Sequence, residues 1–470
     1  MKSNRPNNLL FVFADQMRAH AMRCSGHPQV QTPAMDQLAR EGVRCSNHIA
    51  THPVCGPNRG TLLTGTYAPT HRVVGNDLPV RTDLPSLGTV AQDHGCHTGY
   101  IGKWHLDGMP RNKFTPPGQR RLGFDYWAAY NCTHRYLQPR YFRDTPEEIR
   151  PGGYEPQVQT DLAIDYLRDR AAGSDPFCLV MSWGPPHDPY LELPESYLTR
   201  YDPATIELRP NAQPEADNLL ARGMDCRRVT AAYHAAVTAL DDQLARLLQA
   251  LDDLQLAEST LVVFCSDHGD MLWSHGLMKK QLPYEESILV PLLLRCPRSL
   301  PAGRVCPTLI GTVDLLSTLS GLMGWTVPTS SQGRDLSSAL RGGEIFDEPT
   351  STYISNYINA DEAIRQGVTG WRGVRTMQHT YAETAGRTPW LLFDNLADPY
   401  QMRNLVNSAE TAGIQRTLAI ELGQWLARTN DPGLDERQTL SHFGLLEAWD
   451  QRQTAMENWF KPPASKSQVP

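Results

Sequence analysis

Two adjacent pairs of hard donors, Asp15-Gln16 and Asp267-His268, each follow a short apolar run, far apart in the sequence. A divalent cation such as calcium takes oxygen ligands from several chain segments. A single Asp after a strand is more often a turn former or helix cap, but two such pairs weigh toward a metal. Three cations, Arg59, Lys103 and Lys280, stand beside Gly- or Pro-containing turns, and His105, His187 and His275 lie near similar junctions. Lys and Arg neutralise charge spread over the oxygens of a tetrahedral oxyanion, and histidine protonates departing alkoxides. Singly, each Lys or Arg is more often an ordinary solvated surface charge. Cys55 follows Pro53 and precedes Gly56-Pro57, which holds it in a turn, and Thr61 to Gly65 reads as the opening of a helix. A nucleophile before a helix N-terminus faces the positive end of its dipole. The alternative is a thiol packed beneath the turn.

The elements that must position these groups are legible as apolar runs. Leu9 to Ala14 ends at Asp15, Phe177 to Trp183 ends at Gly184-Pro185-Pro186-His187, and Leu261 to Ser266 ends at Asp267. Such runs read as strands buried on both faces of a largely parallel sheet, where ligands sit beyond the carboxyl ends. Helices are expected at Pro33 to Glu41 and from about Val229 to Leu254, where Val237, Leu240, Leu244, Leu247, Leu248 and Leu251 keep helical spacing. The segment from about Asp107 to Pro156 lacks long periodic runs and is rich in Pro, Tyr, Trp and Arg. It reads as a long loop that either grips an anionic or sugar-like ligand or is a surface excursion. The chain turns polar and Gly-rich around Ser331 to Glu348. This places one α/β domain at residues 1–345 and a smaller α+β domain and tail at 346–470. Short strands near Gly373 to Thr376, Thr380 to Glu383 and Trp390 to Phe393 and a helix from about Thr411 to Ala427 belong to the latter, and the Lys461 to Pro470 tail is expected to fray.

Bulk properties narrow the class. A chain of 470 residues with 40% hydrophobic and 20% charged content is an ordinary globular composition. The net charge of −7 argues against a nucleic-acid binder, which needs a basic surface to replace counterions. The ten cysteines form no CxxC pair or regular framework, so reduced thiols are expected. No signal-peptide h-region precedes the first apolar run, and no stretch has the length of a membrane span. The expectation is a soluble, cytoplasmic protein (periplasmic or secreted if a leader was removed). The sequence sets no oligomeric state.

In order along nearly the whole chain, these segments resemble a known family, the type I sulfatases of the alkaline phosphatase superfamily. The family's modification signature, Cys or Ser-x-Pro-x-Arg with Thr-Gly after four more residues, matches Cys55, Pro57, Arg59, Thr64 and Gly65. A second signature matches Gly99 to His105. The Thr32 to Val43 helix, Pro186-His187, Ser266 to Gly269, His275 to Leu277, Tyr284 to Ser287 and Leu392 to Tyr400 are also similar to the family. The resemblance implies an alkaline-phosphatase-like α/β fold. A large, mostly parallel sheet is flanked by helices, with a small C-terminal α+β domain containing an antiparallel sheet.

It also implies hydrolysis of sulfate esters, of a sulfated carbohydrate or an aryl sulfate, small molecule or oligosaccharide. Cys55 would be oxidised to formylglycine (3-oxoalanine) by a formylglycine-generating maturation enzyme. The aldehyde hydrate then offers one oxygen to attack sulfur and a second to eject sulfate. Asp15, Gln16, Asp267 and His268 fall at the family's metal positions, with a calcium ion expected. Arg59 would hold the diol, Lys103 and Lys280 the sulfate oxygens, and Asn76 a further polar contact to sulfate. His187 is the implied acid for the leaving group, and His105 assists proton removal. The resemblance says nothing of the leaving group; the Asp107-to-Pro156 loop, Asp188, Tyr190 and His275 are the candidates for reading it. Two positions depart from the pattern: many members have Asp at Gln16 and Asn or another residue at His268. Gln and His there also occur in phosphonate monoester and phosphodiester hydrolases of the same superfamily, which are the alternative reading. Lys103 and His105 keep the sulfatase form. A non-catalytic binding protein on this scaffold would be expected to have lost core positions, and this chain retains them.

Overall fold

The computed structural model describes residues 5–344, 348–359 and 361–460. Eight strands form the main sheet in the order β4-β3-β5-β1-β6-β7-β2-β8. They are β1 (Asn8–Asp15), β2 (Val43–Ile49), β3 (His97–Lys103), β4 (Tyr126–Tyr130), β5 (Phe177–Pro186), β6 (Thr260–Ser266), β7 (Leu292–Arg295) and β8 (Arg304–Gly311). Only β7 runs antiparallel to its neighbours, so the expected mostly parallel sheet is present. Alternate residues of β1 enter different cores: Leu9, Phe11 and Phe13 pack on one face, Leu10, Val12 and Ala14 on the other. A strand covered on both sides must be apolar throughout, and it turns polar only where it leaves the sheet.

The helix Cys226–Asp253 covers one face with Val229, Tyr233, Val237, Leu240, Leu244, Leu247 and Leu251. Asp225 caps it by accepting the N–H of Arg228 at 2.7 Å. The four-stranded antiparallel sheet has the order β12-β11-β10-β9, with β9 Ser351–Asn356, β10 Trp371–Thr376, β11 His379–Thr384 and β12 Thr388–Asp394. The helix Ala412–Thr429 packs on it through Leu418, Leu422 and Leu426. The expected boundary near 345 and the expected frayed tail from Lys461 lie outside the described residues.

Two expectations need correction. The segment from Asp107 to Pro156 is not simply a loop, because Tyr126–Tyr130 is the edge strand β4, paired in parallel with β3. Five residues are too few for a periodic signal. Its cations are also largely neutralised locally: Arg111 pairs with Asp77, Arg120 with Asp107, Arg121 with Asp144, and Arg140 with Glu148. The second correction concerns Cys55, which begins the helix Cys55–Thr64 rather than preceding one. Thr61 to Thr64 are its last turn. Pro57 is tolerated as the third helical residue because N–H groups of a first turn have no intrahelical partner. Gly65 ends the helix at φ 62°, donating its N–H to Thr61 O, a left-handed cap suited to glycine.

Candidate active site

Four neighbouring strands deliver the candidate residues to one edge of the sheet. Ala14 is in register with Ser266, so Asp15 and Asp267 emerge side by side from β1 and β6. Asp15 also pairs with Pro186, which brings His187 to the same edge from β5. On the next strand, β3 ends at Lys103. From across this edge the Cys55–Thr64 helix brings in Cys55 and Arg59.

The structure gathers Asp15, Cys55, Asp267 and His268 so closely that one ligand atom from each lies within 4.8 Å of every other. Cys55 Sγ is 3.1 Å from His268 Nε2 and 3.6 Å from Asp15 Oδ1. His268 Nε2 is 3.5 Å from Asp15 Oδ1 and 3.7 Å from Asp267 Oδ1. The other oxygens point away: Arg59 donates to Asp15 Oδ2 and Asp267 Oδ2, both at 3.0 Å, and Lys103 Nζ to Asp15 Oδ2 at 2.6 Å. His268 Nδ1 faces the carbonyl of Gly269 at 3.1 Å. A carbonyl only accepts, so Nδ1 donates there, and Nε2, facing the carboxylates, is the nitrogen a metal would take in exchange for a proton.

The electrostatics favour a cation there. Burial opposes charge on His268, yet Asp267 and Cys55 push it up to about 9. Burial, and then the Asp15 charge, pushes Asp267 above its ordinary value. Burial and Cys55 also oppose Asp15, but Lys103, His187 and Arg59 hold it well below the usual carboxylate range. Two buried carboxylates and an imidazole lone pair are a fitting donor set for a divalent cation. Gln16 is adjacent but turned: its Oε1 accepts from Lys280 Nζ at 2.7 Å, and its Nε2 donates to Asp270 Oδ2 at 2.7 Å.

An anion-holding side faces this cluster. Lys280 Nζ lies 2.7 Å from His187 Nε2, and His187 Nδ1 lies 2.7 Å from the Asp188 carbonyl. Burial opposes ionisation of Cys55, but Lys103, Lys280 and His268 hold its thiol well below the ordinary value. Negative charge at the Cys55 position is therefore favoured.

Other expected site residues take different parts. Asn76 accepts the N–H of Gly56 at 2.8 Å and so caps the helix carrying Cys55. Arg59 is saturated, donating also to Lys103 O at 2.7 Å and Ser182 Oγ at 2.5 Å. Tyr190 donates to Asp270 Oδ2 at 2.8 Å, and Asp188 lies 3.3 Å from Lys279 Nζ. His275 stacks on Tyr284 and contacts Asn211 instead of the cluster.

Several residues were missed by sequence reasoning. Asp77 accepts from His105 Nε2 at 3.0 Å, from Arg111 and from Arg452. Burial opposes charge on His105, but the Cys132 thiolate and the Asp77 hydrogen bond push it up to about 10. His134 stacks on His187 with ring centres 4.3 Å apart and planes 8° apart. Glu362 reaches Lys279 at 3.0 Å and Lys280 at 3.7 Å from beyond the main sheet. Adjacency to Asn76 is the one local cue for Asp77; the others had none.

A family model described as Sulfatase matches residues 7–325, and one described as N-sulphoglucosamine sulphohydrolase, C-terminal, matches residues 273–428. The chain is 36% identical over 434 residues to an ulvan-active sulfatase of Formosa agariphila, spanning 90% of this chain and 82% of that protein. A solved structure of a candidate sulfatase from Bacteroides fragilis superposes with a TM-score of 0.82 at 32% identity, covering 92% of this chain and 98% of the other. Another, solved with its substrate D-glucosamine-2-N,6-O-disulfate, gives a TM-score of 0.80 at 25% identity, covering 91% of this chain and 99% of the other.

Proposed function

The chain belongs to the sulfatase family of the alkaline phosphatase superfamily, and from that premise we propose that it hydrolyses sulfate esters of a saccharide at Cys55, converted to formylglycine, beside a calcium ion. The observation that carries this reading is the position of Cys55 Sγ, 3.1 Å from His268 Nε2 and 3.6 Å from Asp15 Oδ1, under the positive charges of Lys103 and Lys280. Sγ stands in for the oxygens of the hydrated aldehyde. When present, the aldehyde hydrate and the cation supply a nucleophilic oxygen and a Lewis acid for a sulfate oxygen.

The chain's own residues then have assignable tasks. Asp15, Asp267 and His268 hold the cation, with Gln16 Oε1 the nearby neutral donor. Lys103 and Lys280 neutralise the sulfate oxygens as charge develops on them. The Lys280–His187 pair is placed to protonate the departing alkoxide: His187 Nε2 accepts from Lys280 Nζ, so the proton reaches the leaving group from Lys280 or from Nε2 once that nitrogen has taken it up. His105, anchored by Asp77, stabilises negative charge at the Cys55 position and assists the departure of the proton from the second hydroxyl as sulfate is ejected. Arg59 and Asn76 are positioning residues, since their polar atoms bind Asp15, Asp267 and the helix backbone. The relatives' activity toward ulvan and disulfated glucosamine supports a sulfated saccharide as substrate.

The test has two parts. Peptide mass spectrometry after co-expression with a formylglycine-generating enzyme should show Cys55 as the aldehyde, and Cys55→Ala should abolish turnover. A turnover-competent enzyme with an unmodified thiol would sink the mechanism. Rates on a sulfate monoester and on a phosphodiester with the same leaving group should favour sulfate. A phosphodiester rate well above the sulfate rate would transfer the assignment to the phosphoryl branch.

A further inference from the structure

We propose that the cavity between Arg18 and Arg209 is a second binding site, for a tetrahedral oxyanion of sulfate or phosphate size, separate from the cluster around Cys55. The cavity measures about 420 Å³ and is lined by Arg18, His20, His27, Glu207, Arg209 and Tyr400, among others.

Arg18 carries the argument. It is 4% exposed, and its Nε and Nη1 are buried with no hydrogen-bond partner among the described residues. Its guanidinium carbon lies 5.9 Å from the centre of the Tyr233 ring. Every other buried arginine among the described residues has an acidic partner: Arg59 with Asp15, Arg121 with Asp144, Arg295 with Glu41, Arg372 with Asp431, Arg375 with Glu285, and Arg452 with Asp77. A buried guanidinium without an acceptor is an expensive arrangement that an anion or ordered solvent relieves.

The nearby acids are already engaged. Glu286 accepts from Arg209 at 3.0 Å and from Asn211 at 2.8 Å. Asp270 accepts from Gln16 and Tyr190. Glu207 is solvent-exposed and forms no ion pair among the described residues. The Arg18 and Arg209 charges repel one another, and burial adds to the cost.

The histidines complete a donor set. Burial and then Arg209 push His20 down to about 3, while burial and then Arg18 push His27 down to about 4. Each is therefore a neutral ring with one N–H at pH 7. Nδ1 of His27 accepts the N–H groups of Gln29 and Val30, both at 3.2 Å, which leaves its proton on Nε2. His20 Nδ1 is buried without a partner. Guanidinium and imidazole donors around this partly open cavity suit an oxyanion, and the two arginine charges repel a metal cation. The anionic group has two sources, a free inorganic anion or a sulfate carried on a saccharide. Only the second rests on the sulfatase reading.

The test uses the full chain carrying Cys55→Ala. Crystals grown with selenate should show an anomalous peak in the cavity against Arg18, distinct from any at Lys103 and Lys280, and calorimetry with inorganic sulfate should detect a site that persists in Lys280→Ala. Arg18→Gln and His20→Ala, each checked for folding by circular dichroism, should weaken that binding about tenfold by removing charge-assisted or neutral donors. A disulfated monosaccharide binding far tighter than inorganic sulfate, with the advantage lost in Arg18→Gln, identifies a substrate sulfate. Equal binding identifies the free anion. An empty cavity at saturating selenate, or sulfate affinity unchanged in both variants, overturns the proposal. Because Cys55 is already replaced, its chemistry does not affect the outcome.

Discussion

Asp77 shows how one side chain sets the charge state of another. Through its hydrogen bond to His105 it helps hold that imidazole near a pKa of about 10, against the ordinary 6.5. A histidine raised in the folded state contributes stability that is complete below pH 6.5 and is lost as pH rises through 10. Asp77→Asn should therefore lower the His105 pKa, read by imidazole NMR, and flatten the fall of stability across that window. Turnover should drop about 10²-fold if His105 handles a proton in the reaction. A His105 titration unchanged in Asp77→Asn would refute the coupling. Asp15, Asp267 and Cys55 were legible because each ends an apolar run or opens a Gly-Pro turn. The role of Asp77 was not, since Arg452, one of its partners, lies 375 positions away. Ion pairs of that separation leave no periodic trace.

The strand β3 delivers Lys103 only because Gly102 lets it approach β5 closely. Gly102 has φ 106°, and a Cβ there would lie 2.1 Å from the carbonyl oxygen of Ser182. Backbone cannot yield as a side chain can, so Gly102→Ala should force β3 from β5 and displace Lys103 from Asp15. The expected result is a loss of about 1–3 kcal/mol in urea denaturation and a fall in kcat larger than any change in KM. Wild-type kcat in a folded Gly102→Ala protein would contradict it. Parallel strands and the long helix were readable from hydrophobic spacing. The start of the Cys55–Thr64 helix was misplaced because Gly56-Pro57 resembles a turn in sequence, while a first helical turn tolerates both residues. The edge strand β4 escaped because five residues carry too little pattern.

At the scale of the whole molecule, the two sheets are joined through buried charge: Arg375 of β10 donates to Glu285 Oε1 at 2.9 Å, shortly after Lys280 in sequence. Arg375→Ala leaves Glu285 uncompensated and should cost about 3–5 kcal/mol in equilibrium unfolding. A smaller loss than about 1 kcal/mol would mean the link is not structural. The crowded carboxylates Asp15 and Asp267 predict a second global effect. Chelation should lower Tm by several degrees and calcium should restore it, because a ligand held only by the folded state stabilises it by about 2.7 kcal/mol at a hundredfold excess over Kd. Identical Tm values with chelator and with calcium would contradict a calcium site. The burial of Cys55, 1% exposed in the finished protein, has a consequence for biosynthesis. No catalyst of enzyme size reaches that thiol after β6 has docked beside β1. On the ribosome, however, about 200 residues separate Cys55 from β6, an interval of about 10–40 s at typical elongation rates. The proposed oxidation therefore races translation, and slowing elongation downstream of Cys55 should raise the aldehyde yield.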